Sequence, residues 1–216
     1  MKLHREILRL AGPSILANIT VPLVGMVDIA VVGHLGATGG YSGAAFIGGI
    51  SVGTMLFDLL YWNFSFLRAG TGGLTAQAYG RKDPAEIGRI LGRALRIALL
   101  SGLTLIALQW VVVQLAFLLV QCSPEVKVLA TQYFYIRIWA APATLSLFAL
   151  KGWFIGLQDS LRPMLTDLWV NGVNMLCSVG LAFWLDLGFA GVAWGTVIAQ
   201  WTGLLLALLV TRKYLP

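Results

Sequence analysis

Six apolar runs, each about 20 residues or longer, leave this 216-residue chain almost no other way to fold. They cover roughly Leu10–Val32, Ala44–Leu67, Ile97–Val120, Tyr133–Gly156, Leu165–Leu185 and Phe189–Val210. At a rise of about 1.5 Å per residue, each helix is long enough to cross a hydrocarbon core of about 30 Å. Barrel strands are excluded, because they alternate polar and apolar residues in segments of about ten, and these runs do not. Charged residues make up 11% of the chain, against about 25% in soluble domains, so it lacks the surface for water. The fold class expected is an all-α integral membrane protein with six transmembrane helices.

Charge gives the orientation. With both chain ends in the cytoplasm, the inner segments hold Lys2, Arg5, Arg9, Arg81, Lys82, Arg89, Arg93, Arg96, Arg162, Arg212 and Lys213, and the outer loops hold Lys127. That asymmetry follows the positive-inside rule and accounts for the net charge of +6 without a nucleic-acid surface. Arg68, Arg137 and Lys151 fall near run ends, where long side chains snorkel to the interface. The first run reads as a retained helix, since no clear small-residue cleavage site follows it. Cys122 and Cys177 form neither a metal spacing nor a disulfide framework. Gly70-Thr71-Gly72-Gly73 lacks the lysine of a phosphate loop. No nucleophile has an oriented base, so the chain does not read as an enzyme.

The loops carry cap chemistry. Asp83-Pro84-Ala85-Glu86 is a capping box with proline at the first helical position. Arg89, Arg93 and Arg96 then share one face, which suggests an interfacial segment before the third run. Ser123-Pro124 starts an outer helix, and Asp159 or Ser160 can cap the next one. Among the 25 glycines, Gly48, Gly49 and Gly53 and the pairs Gly88–Gly92 and Gly152–Gly156 suit close helix packing.

Polar groups at membrane depth are costly and mark function. Asp28 sits in the run LVGMVDIAVV, and Asn18, Pro22, Gly25 and Asp28 make one side of its helix polar or small. Such a side faces protein or a water-filled cavity. In the fifth run Asn171, Asn174 and Ser178 stack at helical spacing below Asp167, and the sixth adds Thr196 and Gln200. Asp58 and Asn63 divide evenly between packing and function. Interhelical hydrogen bonding is the structural alternative for all of these residues, and a proton-coupled role is the functional one for Asp28.

At this point the sequence resembles the MATE (multidrug and toxin extrusion) transporters, in particular their DinF-like branch. The resemblance rests on Leu10-Ala11-Gly12-Pro13, Val21 to Asp28 with Gly33-His34-Leu35, Phe66-Leu67-Arg68 and Gly73 to Gly80. It continues through Ile136-Arg137, Ala141-Pro142-Ala143, Gly156 to Asp159, Asn171 to Asn174 and Gly191 to Thr196. It implies one lobe, spanning 1–216 as a single membrane domain, of a two-lobe antiporter in the inner membrane. Cationic or lipophilic compounds leave while H⁺ or Na⁺ enters, and no other cofactor is implied. It carries the coupling role to Asp28, with Asn171, Asn174 and Thr196 around it. Ser178 departs from the branch, where an aspartate is usual, so this network has one carboxylate fewer.

Length departs too, since the second lobe is absent. The expectation is a partial product in the lipid bilayer. A split transporter with its other half on a second chain, a homodimer of lobes, and an inactive structural or vestigial bundle stay open.

Overall fold

The computed structural model describes residues 2–35 and 41–214, with backbone alone over 2–11, 13–14 and 16–17. Lys2, Arg5 and Arg9, used for orientation, and Leu10, Ala11 and Pro13 of the family resemblance therefore lie outside the described side chains.

The described residues are helical, with no β-sheet among them. The helices are α1 (Lys2–His34), α2 (Gly43–Trp62), α3 (Ser65–Gly80), α4 (Pro84–Ala107), α5 (Gln109–Leu119), α6 (Pro124–Arg137), α7 (Ala141–Gly156), α8 (Leu161–Val179) and α9 (Gly188–Thr211). A short 3-10 turn, Ile138–Ala140, joins α6 to α7, and a π-helical turn, Gly180–Trp184, extends α8. Four units are long and apolar enough to cross a membrane: Gly43–Gly80, Pro84–Ala107, Pro124–Gly156 and Gly188–Thr211. Asn18–His34 and Gln109–Leu119 are shorter apolar helices. The all-α membrane class expected from the sequence holds.

Three boundaries differ from the sequence expectation. The second unit continues from Leu67 to Gly80, the third begins at Pro84 instead of Ile97, and the fourth begins at Pro124 instead of Tyr133. Apolar runs mark only the lipid-facing stretch, whereas a helix continues wherever its backbone is satisfied. Residues 84–96 are thus the first part of one helix and not a separate surface segment. Its Ile90, Leu91 and Ala94 are buried, while Glu86 pairs with Arg89 at 2.8 Å and Arg93 at 3.4 Å on the outer face.

The starts follow the cap residues. Ser42 accepts from the Ala45 N–H at 3.1 Å, Asp83 from Glu86 at 3.0 Å and Ser123 from Val126 at 3.4 Å. Asp159, rather than Ser160, caps α8, accepting from Leu161 at 3.1 Å and Arg162 at 3.3 Å. Two turns share one design. Lys82 (φ 57°) and Gln158 (φ 61°) take the left-handed conformation. In each turn the next residue, Asp83 or Asp159, donates its N–H five residues back, to Ala78 or Phe154. This Schellman geometry closes one helix, and the same aspartate then opens the next.

Helices α3 and α7 pack backbone against backbone. A Cβ on Gly156 would stand 2.6 Å from the Gly72 carbonyl oxygen, and one on Gly152 would run into the Arg68 backbone. Only glycine permits backbones this close. Trp153 on the same helix is fully buried and donates its indole N–H to the Ile87 carbonyl at 3.1 Å. Near the outer half, Phe57 stacks on Phe134 at 4.8 Å. Gly92, by contrast, has open space around it.

Candidate functional site

A cavity of about 700 Å³ opens among α1, α2, α3, α6, α7, α8 and α9. Its wall carries polar groups from each of them.

Asp28 enters from α1, with Asn18 and Gly25 on the same side of the helix. The carboxyl is buried, at 8% exposure, and Oδ1 has no hydrogen-bond partner. Asn174 on α8 donates through Nδ2 to Thr196 Oγ1 on α9 at 2.9 Å, and its own Oδ1 is buried without a partner. Asn171, one turn away, donates to Thr20 Oγ1 on α1 at 2.5 Å. Asp28, Asn171, Asn174 and Thr196 therefore line one space. Pro22 lies outside that lining.

Ser178 stands behind the wall. It is fully buried, with Gly195 of α9 so close that a Cβ there would sit 2.7 Å from the Ser178 nitrogen. Its hydroxyl faces the Asp28 carboxyl without closing a hydrogen bond of ordinary geometry.

Three cations read as snorkelling belong to the cavity instead. Arg137 is the last residue of α6, midway along the unit Pro124–Gly156. Its Nη1 donates to Tyr133 Oη at 3.1 Å and Thr54 Oγ1 at 3.4 Å, and the guanidinium covers the Phe57 ring at 4.8 Å. Lys151 pairs with Asp167 at 2.5 Å, tying α7 to α8. Arg68 stays exposed but sits in the first turn of α3, twelve residues before its end at Gly80, and lines the same space. The early boundary at Tyr133 hid Arg137, because it placed the residue near a helix end. Asp58 and Gln200 also line the cavity, while Asn63 turns back on its own helix and donates to the Leu59 carbonyl at 2.8 Å. No cluster of metal-binding side chains occurs among the described residues.

Comparison with known proteins gives the family. The MatE family model matches residues 13–183. DNA damage-inducible protein F of Escherichia coli (strain K12) is 39% identical over 206 residues, covering 95% of this chain and 44% of its own length. Multidrug and toxin extrusion protein 2 of Mus musculus is 31% identical over 198 residues, covering 88% of this chain and 32% of its own. A crystal structure of MATE in the bent conformation shares the fold at a TM-score of 0.84 and 20% identity, over 98% of this chain and 47% of that one. A MOP superfamily transporter from Pyrococcus furiosus matches at 0.80 and 21%, over 97% and 46%. The chain spans less than half the length of these relatives. It belongs to the MATE family, in its DinF-like branch, as a multi-pass membrane protein of transporter fold.

Proposed function

We propose that the chain forms one lobe of an efflux antiporter that exports cationic or lipophilic compounds in exchange for H⁺ or Na⁺. One observation carries this reading: the Asp28 carboxyl is buried in a polar-walled cavity with one oxygen free of partners. A bare carboxylate at membrane depth is costly. A proton, a sodium ion or a cationic substrate each removes that cost, and each excludes the others. Competition for a single carboxylate, combined with exposure to alternate sides of the membrane, turns inward ion flow into outward substrate flow.

Asn171, Asn174 and Thr196 hold the wall around Asp28, and Ser178 backs it. Neutral amides and hydroxyls donate or accept without competing for the charge. The assembly in the inner membrane pairs this lobe with a second one, which closes the open side of the cavity. The whole of 1–216 acts as one membrane domain, with both ends cytoplasmic.

The test is exchange in proteoliposomes holding the chain together with a second lobe. Asp28→Asn keeps the size and hydrogen bonding of the side chain and removes its charge. It is expected to abolish substrate-driven H⁺ or Na⁺ exchange while the protein still inserts. Exchange at the unaltered rate in the variant would take Asp28 out of the coupling role.

A further inference from the structure

Arg137 is a cation with work left undone. Its guanidinium has five N–H donors. Among the described residues its hydrogen bonds come from Nη1, to Tyr133 and Thr54. Its Nε and Nη2 have no partner among those residues, and together they form the edge that grips a carboxylate with two parallel bonds. No carboxylate lies within 4.0 Å of it among the described residues. The Phe57 and Tyr133 rings, at 4.8 Å and 5.6 Å, fix the plane of the group. The same residue lines the cavity that holds Asp28.

We propose that Arg137 is the anion-recognising pole of this cavity, and that the preferred substrates are amphiphiles carrying a carboxylate beside a cationic aromatic part. The proposal rests on the efflux reading above and narrows its substrate class.

Charge balance favours a monoanionic carboxylate over a phosphate. The lining holds three acids, Asp28, Asp58 and Asp167, and three bases, Arg68, Arg137 and Lys151. Lys151 and Asp167 satisfy each other. What remains is two acids, Asp28 and Asp58, and two bases, Arg68 and Arg137; among them Asp28 keeps a free oxygen on α1 and Arg137 a free edge on α6. A zwitterion answers both poles and adds no net charge. A dianion would crowd Asp28 and Asp58, and a simple cation would leave the guanidinium edge unpaired.

Equilibrium binding to the purified chain in lipid nanodiscs decides between these. Two probes differ in one group: a xanthylium dye with a free carboxylate, and the same dye as its methyl ester. Polarisation of dye fluorescence reads the affinity of each. Arg137→Gln is expected to weaken carboxylate-dye binding by about tenfold or more and to leave the ester within about twofold. Arg137→Lys keeps the charge but loses the fork, so it should fall between the two, and it stands in if the glutamine variant fails to fold.

Equal carboxylate-dye affinity in the unaltered chain and the foldable variant would overturn the assignment of Arg137. Ester binding that is as tight as carboxylate binding in the unaltered chain would overturn it as well, while leaving the efflux reading in place. If the unaltered chain binds neither dye, the Arg137 proposal falls, while the efflux reading is decided separately by exchange in proteoliposomes that hold the second lobe.

Discussion

Side chains were legible in the sequence wherever helical spacing alone decides which way they face. Asn171 and Asn174 sit three apart on α8, and Asp28 shares a side with Gly25, so their convergence needs no knowledge of the neighbouring helices. Arg137 and Lys151 were not legible, because snorkelling and burial differ only in where a helix begins. The Asn174 to Thr196 bond gives a direct test at this scale. Interhelical hydrogen bonds in membranes contribute about 0.6 kcal/mol on average and about 1.7 at most. Asn174→Ala should therefore lower stability by about 1 kcal/mol, read as a small drop in the detergent melting temperature. An unfolded variant would mean that the contact does more than join α8 to α9. Asn171→Ala removes the bond to Thr20 and is expected to behave alike.

Helices were legible as a set, since hydropathy reports lipid depth, but their ends were not. Proline and cap residues announce the starts at Pro84 and Pro124, yet polar first turns fall below any hydropathy threshold. The continuation of α3 through Gly70, Thr71, Gly72 and Gly73 runs against local propensity. It is stabilised by burial of Leu67 and Ala78 and by close approach to α7. Glycines that pack and glycines that do not look identical in sequence. Gly156→Val should clash with the Gly72 carbonyl and cost about 1–3 kcal/mol or more, seen as lost folded yield. Gly92→Ala meets nothing within 4 Å and removes backbone freedom from the middle of α4. It should stabilise by about 0.5–1 kcal/mol, which thermal melts can resolve. Equal behaviour of the two variants would contradict the packing described here.

Over the whole molecule the surface agrees with lipid. Leu118, Leu119 and Trp184 are exposed at 78%, 81% and 87% near the ends of their helices. The asymmetry of lysines and arginines predicts an orientation across the membrane, and Cys122 offers a native reporter. It is partly exposed between α5 and α6. A membrane-impermeant maleimide added to sealed cells should label Cys122, and Lys82→Cys should react only after the membrane is opened. The reverse pattern would invert the topology. Cys177, at membrane depth on α8, should react slowly in both conditions. Six membrane units could be counted in the sequence. The cavity could not, because it exists only where seven elements meet.

The glycine seam between α3 and α7 has a mechanical consequence. A contact made mostly of backbone has few rotamers through which to relax, so it is either intact or lost. The two helices should answer any load on the protein as one rigid body, whatever the lipid around them. Spin labels at Phe66 and Ile155, both exposed on these helices, would then report a single narrow distance distribution that is the same in detergent and in bilayers. A distribution that broadens or splits on moving between the two would show a joint where the backbone contact leaves no room for one.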